Sequence, residues 1–165
     1  MQVAQGDLKA ALKSYSDDLA IAERLATSDP GHADWQRDLS ISYNKIGNVQ
    51  MAQGDLKAAL KSYSDSLAIR ERLANSDPSN AGWQRDLSVS YKNLPEAYRK
   101  SNETAKARDA LAAGRAIIGK LVGQYPDQVQ WKQRLTWFDV RIAGLGQSSP
   151  TKEQGESSAK RKPAR

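Results

Sequence analysis

Apolar side chains recur every three or four residues along most of the chain, which is the spacing of one face of an α-helix. A representative stretch carries its apolar side chains at Trp35, Leu39, Tyr43, Ile46 and Val49. The sequence has no run in which β-branched and polar residues alternate, and it has no Asn-Gly hairpin turn. The pattern therefore predicts an all-α fold.

Glycine, aspartate and proline divide the periodic stretches into separate helices. Gly54 suits a helix end and Asp55 suits the N-cap of the next helix. Pro78 ends that next helix, because a proline disfavours helical geometry in the residue before it. The predicted helices are 7–28, 33–52, 55–76, 81–101, 103–124 and 128–145.

The chain repeats itself with a period of 48 residues. Residues 5–43 return as residues 53–91 with seven differences in 39 positions, so 32 positions are identical. A third, more divergent copy keeps the same register, since three residue types recur at this spacing: Pro30, Pro78 and Pro126; Trp35, Trp83 and Trp131; Leu39, Leu87 and Leu135. A fixed period of this length is typical of stacked helical repeats. With A and B denoting the first and second helix of a unit, the order is B-AB-AB-A.

The two helices of each unit resemble the tetratricopeptide repeat. Tyr43, Ile46 and Gly47 match its first helix, and Ala59 and Tyr63 match its second. The period departs from the usual 34 residues of that family and is similar to the long-helix repeats of bacterial arrays. The resemblance covers about residues 1–146. It implies a right-handed solenoid of antiparallel helix pairs that acts as a non-enzymatic protein-interaction scaffold.

The resemblance also implies a peptide-binding groove lined by the A helices. The groove positions on this chain are Asn44, Lys45, Asn48, Lys92, Asn93 and Arg141. Some members of the family hold the C-terminal carboxylate of a peptide with Lys, Asn and Arg side chains from three consecutive A helices. Three of these six residues, Asn48, Asn93 and Arg141, match that arrangement, whereas Trp137 stands where a Lys is expected. A carboxylate-binding groove, a groove for another peptide and a solvated polar face without a ligand all remain open.

The first B helix lacks an A helix before it, which would leave part of its apolar surface uncovered. We therefore expect either that the chain is the C-terminal part of a longer array or that it self-associates into a homo-oligomer. The predicted self-association face consists of Leu8, Leu12, Tyr15 and Leu19.

Three departures from the earlier copies stand out within residues 81–124. Leu60 and Leu67 become Arg108 and Arg115, which is what a polar cap on a terminal repeat would show, although simple divergence remains open. Pro95 replaces the glycine of the preceding A helix, and a proline inside a helix removes a hydrogen bond. The sequence therefore predicts a kink or break at about residues 92–95.

The composition changes near residue 147 and separates a repeat domain, 1–147, from a basic tail, 148–165. The tail has no aromatic side chain and is expected to be disordered. Five Lys or Arg against two Glu give it a charge of +3, which is half of the net +6 of the chain. Weak nucleic-acid binding through the tail is an alternative function, but a nucleic acid is not the favoured partner.

Several kinds of chemistry are disfavoured. The chain has no Cys and one His, so no metal site, no cofactor and no catalytic residue is predicted. The single histidine, His32, aligns with Asn80 just before an A helix, where capping is expected. No apolar run approaches the roughly 20 residues of a membrane span, and the N-terminus lacks the core of a signal peptide. We therefore expect a cytoplasmic protein.

Overall fold

The computed structural model describes residues 2–146, which form six α-helices and no strand. The helices are α1 (Gln2–Ser28), α2 (Ala33–Gln53), α3 (Leu56–Ser76), α4 (Ala81–Lys100), α5 (Thr104–Gln124) and α6 (Val129–Gly146). The all-α prediction is confirmed, and every predicted boundary except the start of α1 lies within one residue of the observed one. The predicted tail, 148–165, lies outside the described residues.

The helix starts follow from capping side chains. His32 Nδ1 accepts a hydrogen bond from the Trp35 amide at 3.4 Å, and Asn80 Oδ1 accepts one from the Trp83 amide at 3.1 Å. Asp55 Oδ1 accepts from the amide of Ala58 at 3.0 Å. Each side chain satisfies an amide that the first turn of a helix leaves without a partner. The capping roles predicted for His32, Asn80 and Asp55 are confirmed.

Helix α1 begins five residues earlier than predicted. The sequence Gln-Gly-Asp occurs at residues 5–7 and again at 53–55, yet only the second copy ends a helix. There Gly54 adopts the left-handed conformation, with φ 82°, and caps α2. In the first copy α1 continues through Gly6, so the same three residues do not end a helix there. The start predicted at residue 7 was therefore wrong.

Each helix packs against its neighbours in the chain, and loops of two to four residues make these neighbours antiparallel. The core of the middle of the molecule is a cluster of Ala59, Tyr63, Leu94, Ala97 and Ala110, which joins α3, α4 and α5. A second cluster in α5 and α6 consists of Leu111, Ile118, Leu121 and Phe138. The core is therefore a row of helix-to-helix contacts in chain order.

Helix α4 runs without a break through Pro95, so the predicted break at residues 92–95 does not occur, whereas the alternative of a kink there stays a prediction. Pro95 is buried, and the helix continues for five residues beyond it. The ring of Pro95 packs inside the protein. Because proline has no amide proton, the carbonyl of Tyr91 lacks its helical hydrogen bond.

Arg108 and Arg115 are both exposed, but Arg115 does not face away from the last helix pair. Its Nε donates to Asp139 Oδ1 of α6. One unit earlier the equivalent residues, Leu67 and Tyr91, pack on the same core cluster. An ion pair between Arg115 and Asp139 thus stands at the α5–α6 junction where the preceding unit has two apolar residues. The arginine therefore contributes to the contact between α5 and α6.

None of the helices in the described part of the chain has a stretch long and apolar enough to cross a membrane.

Candidate functional site

A buried arginine occupies the junction between the first two units. Arg70 Nε donates to Ser40 Oγ at 3.0 Å, and its Nη1 donates to the backbone oxygen of Asp86 at 2.8 Å. Burial lowers the pKa of Arg70 to about 10. The equivalent positions of the other units hold Ala22 and Ile118, so this interaction exists at one junction only.

The carboxylate of Asp86 binds two further arginines, Arg37 and Arg85, close to Arg70. The carboxylate accepts from Arg37 Nε at 2.6 Å and from Arg85 Nη2 at 2.6 Å. Burial acts to raise the pKa of Asp86, but the hydrogen bonds from Arg85 and Arg37 outweigh it and hold the pKa below its ordinary value. Arg37 thus bonds to the next unit rather than within its own helix. Sequence reasoning missed this contact, which joins the A helices of consecutive units.

Three of the six predicted groove residues are engaged inside the protein. Asn48 Oδ1 accepts from the Tyr63 hydroxyl at 2.9 Å. The amides of Asn44 and Asn93 lie 3.2 Å apart, and with its amide oxygen turned towards Arg70, Asn44 accepts from Nη2 at 3.0 Å. These amides therefore contribute to contacts between helices, while the side chain of Asn48 stays exposed.

Lys45 is separated from the other predicted groove cations. Its Nζ lies 5.3 Å from the centroid of the Tyr15 ring, on the α1 side of α2. The contact is a cation–π interaction between two neighbouring helices.

The structure brings the last two predicted groove residues, Lys92 and Arg141, together on one aromatic ring. Lys92 Nζ lies 5.2 Å from the centroid of the Trp137 ring, and Arg141 Cζ lies 4.2 Å from it. Arg134 is close by, and burial together with Arg134 and Arg141 lowers the pKa of Lys92. Three cationic side chains thus share one region of α4 and α6, and we call Lys92, Arg134, Arg141 and Trp137 the cation–tryptophan site.

The nearby carboxylates Glu96 and Asp86 act on Arg141 and Arg134 through space, but their ion pairs are with other cations. Glu96 pairs with Arg99 at 2.8 Å and approaches Lys100 at 3.9 Å, and the hydrogen bond from Arg99 lowers the pKa of Glu96. Among the described residues, no carboxylate forms an ion pair with Lys92, Arg134 or Arg141. The cations of the cation–tryptophan site are therefore available to bind an anionic group.

Two open clefts meet at the cation–tryptophan site. The larger has a volume of about 460 Å³, and its apolar wall includes Pro95, Leu111 and Leu145. The smaller, of about 360 Å³, is polar and runs past Gln130 and Gln133. Lys92 and Trp137 line both clefts, so an extended ligand could pass from one to the other along α6.

The predicted self-association residues are only partly exposed. In the first helix Leu8, Leu12, Tyr15 and Leu19 are all half-buried. The exposed apolar side chains of the same helix are Ile21 and Leu25. They border a cleft of about 270 Å³ between α1 and α2, which also has Trp35 and Asp38 in its walls. This cleft is an exposed apolar surface of α1 that the predicted face did not include.

Within residues 2–146, no three His, Asp or Glu side chains are grouped so that they could hold a metal ion. In comparisons with known proteins, no family model matches the chain and no curated protein matches it significantly.

Proposed function

We propose that this chain is a tetratricopeptide-like scaffold without enzymatic activity, and that it binds an acidic segment of a partner protein between α4 and α6. The observation that carries the proposal is the pair of cations, Lys92 and Arg141, on the ring of Trp137 without a carboxylate partner. On this proposal the helices form a right-handed solenoid in a cytoplasmic protein, and α4 and α6 line its inner surface.

The electrostatics of the site favour a carboxylate. Cations held near one another repel, and the lowered pKa of Lys92 records that repulsion together with burial. A bound carboxylate would offset the repulsion and accept charge-assisted hydrogen bonds from the lysine and the guanidinium group. The site is therefore better suited to an anionic ligand than to a neutral one.

The larger cleft favours a peptide that carries an apolar side chain beside its carboxylate. Its volume of about 460 Å³ falls within the roughly 300–1,000 Å³ of ligand pockets. Trp137, Pro95 and Leu145 supply the apolar surface, while Glu96 in the same wall would repel a continuous run of phosphates. An acidic peptide with a Leu or Phe next to its Asp or Glu meets both requirements.

The test measures fluorescence anisotropy of labelled short peptides in which Asp or Glu adjoins Leu or Phe. Matched peptides carry Asn or Gln instead. We expect the acidic peptides to bind and the amide peptides to bind about tenfold more weakly or worse, with affinity falling as salt rises. The doubly substituted variant Lys92→Gln/Arg141→Gln should lose the same preference.

The control variant is Lys57→Gln/Lys120→Gln, which removes the same charge from exposed positions of α3 and α5. If the control weakens binding as much as the site variant does, net charge rather than the site is responsible and the proposal fails. A single-stranded oligonucleotide that binds more tightly than every acidic peptide, and loses binding in the site variant, would assign the surface to nucleic acid instead.

A further inference from the structure

Exposed apolar side chains are concentrated at the two ends of the row of helices. Of the residues whose side chains the structure describes, five large apolar ones are exposed: Ile21, Leu25, Tyr125, Val129 and Val140. The first two belong to α1, and the other three belong to α6 or to the loop before it. The two ends therefore differ from the middle, where Ile69, the equivalent of Ile21, is 8% exposed against 52%.

The middle of the molecule shows what covers such a face. Helix α2 packs on α3 and reaches α4 through the Arg37–Asp86 pair. Its contact positions are buried, with Ser40 and Asn44 against Arg70 and Gly47 against the ring of Tyr63. An A helix thus covers the B helix and the A helix that follow it.

Helix α6 has the same contact positions, and they are uncovered. Thr136, Val140 and Ala143 stand where Ser40, Asn44 and Gly47 stand in α2, and all three are exposed. Conversely, α1 and α2 form the kind of B–A pair on which such a helix packs, with the cleft beside Ile21 and Leu25 as the uncovered seat. One end is an A helix without a B helix on it, and the other is a B helix without an A helix on it.

The substitutions at the two ends match each other in polarity. In the middle, the polar Asn44 meets the polar Arg70. At the ends the same two positions hold Val140 and Ala22, so both have changed to apolar residues. Likewise Gln133 stands at the position of Arg37 and would face Asp38, which lines the cleft and could accept its amide hydrogen bond.

We propose that two copies of this chain stack head to tail, with α6 of one copy seated on α1 and α2 of the next. The contact completes the order of A and B helices across the junction. It leaves a free end on each side, so it builds open chains of copies rather than closed dimers. Ala143 replaces Gly47 at the point where the Tyr63 ring touches α2, so Tyr15 must turn aside and the contact is weaker than the internal one.

The test uses the full chain in sedimentation velocity over a wide range of concentration. We expect the wild-type chain to show a mass that rises with concentration without a limit at the dimer. Ile21→Glu and Val140→Glu should each be monomeric, because a buried carboxylate without a partner opposes docking. Both positions are exposed in the single chain, so each variant should keep its helical circular dichroism and its melting temperature.

Mixing the two variants distinguishes this geometry from others. Ile21→Glu retains a functional α6 and Val140→Glu retains a functional α1–α2 face, so the mixture should form a dimer and nothing larger. Lys57→Glu, on an exposed part of α3, serves as the control and should associate like the wild type. Peptide binding measured on the monomeric Ile21→Glu variant keeps this test separate from the proposed function.

A wild-type chain that is monomeric at every concentration would overturn the inference. So would a Val140→Glu variant that dimerises alone while Ile21→Glu does not, because that result indicates pairing of two α1–α2 faces.

Discussion

Residues at equivalent positions of the repeat units have different structural roles. Position 70 holds a buried arginine that bonds to two helices, whereas Ala22 and Ile118 occupy the same position of the neighbouring units. The sequence shows the change but not its meaning, because the partners of Arg70 lie on α2 and α4 and come from different parts of the chain. The cation pair of Lys92 and Arg141 was predictable in part, since both lie on the A-helix face, but their shared contact with Trp137 was not.

The predicted groove asparagines form contacts between helices that the sequence did not reveal. Asn44, Asn48 and Asn93 satisfy the residue types of a ligand-binding face, and the structure uses their amides between helices. An amide can serve either purpose, and only the position of Tyr63 and Arg70 decides which. Residue type alone therefore does not reveal these contacts between helices, and a ligand-binding role for the three asparagines stays a prediction.

Gly47 is a position at which helix packing leaves no room for a side chain. A Cβ added there would lie 2.6 Å from Cε1 of Tyr63, well inside van der Waals contact. We expect Gly47→Ala to lower the free energy of unfolding by about 1–3 kcal/mol, as overpacking does. Urea denaturation followed by circular dichroism measures the change.

Gly123→Ala is the matched control, because nothing lies within 4 Å of a Cβ at that helical position. It should raise the free energy of unfolding by about 0.5–1 kcal/mol through helix propensity. Equal effects of the two substitutions would show that the Tyr63 ring yields without cost.

At the scale of secondary-structure elements, helix ends that depend on adjacent residues were predicted correctly, whereas features that depend on the surrounding structure were not. The caps at His32, Asp55 and Asn80 depend on a few adjacent residues, so the sequence alone located those helix ends. The start of α1 was wrong because the same three residues, Gln-Gly-Asp, end a helix at residues 53–55 but lie inside one at residues 5–7. The predicted break at Pro95 was wrong because α4 continues beyond the buried proline, which no local rule anticipates.

Replacing Pro95 by alanine tests how much the proline costs α4. The substitution restores an amide that can donate to the carbonyl of Tyr91, while it removes ring atoms from a buried position. An interior proline costs roughly 3 kcal/mol, so we expect a net gain of about 1 kcal/mol in the free energy of unfolding after the lost packing is subtracted. Thermal melting of Pro95→Ala beside the wild type checks this, and a lower melting temperature would mean that the ring contributes more than the hydrogen bond.

At the scale of the whole molecule, stability depends on junctions between units, and these junctions are not alike. Arg37, Arg70 and Asp86 join the first two units through charged hydrogen bonds. At the next junction Arg134 occupies the position of Asp86 and lies near Arg85, so two cations meet there. The 48-residue period predicted the stacking of units but not this difference between their contacts.

The junction of the first two units should weaken in acid. The pKa of Asp86 lies below its ordinary value of 3.8, so the stability it contributes is complete above that value and is lost as the pH falls through the folded pKa. We expect Asp86→Asn to lower the free energy of unfolding by about 2 kcal/mol at neutral pH, less than the roughly 3–5 kcal/mol for a fully buried pair, because Arg37 and Arg85 are partly exposed. The difference from the wild type should shrink below about pH 4.

Urea denaturation at several pH values measures this difference. Asp17→Asn, which removes an exposed pair with Lys13, is the control and should change little at any pH. A deficit for Asp86→Asn that stays constant down to the lowest pH would show that shape rather than charge carries the effect.

Near-identical helices can pair with the wrong partner during folding, and Arg70 opposes such mispairing. Helices α1 and α3 share most of their sequence, so either could pair with the wrong A helix in a partly folded chain, a known failure of repeat proteins. A mispaired α3 would bury its guanidinium group away from Ser40 and Asp86, whereas a mispaired α1 would leave those acceptors with only Ala22 to meet. Because this position holds Ala22 in one helix and Arg70 in the other, we expect it to help the A helices distinguish α1 from α3 and so to favour the correct alignment.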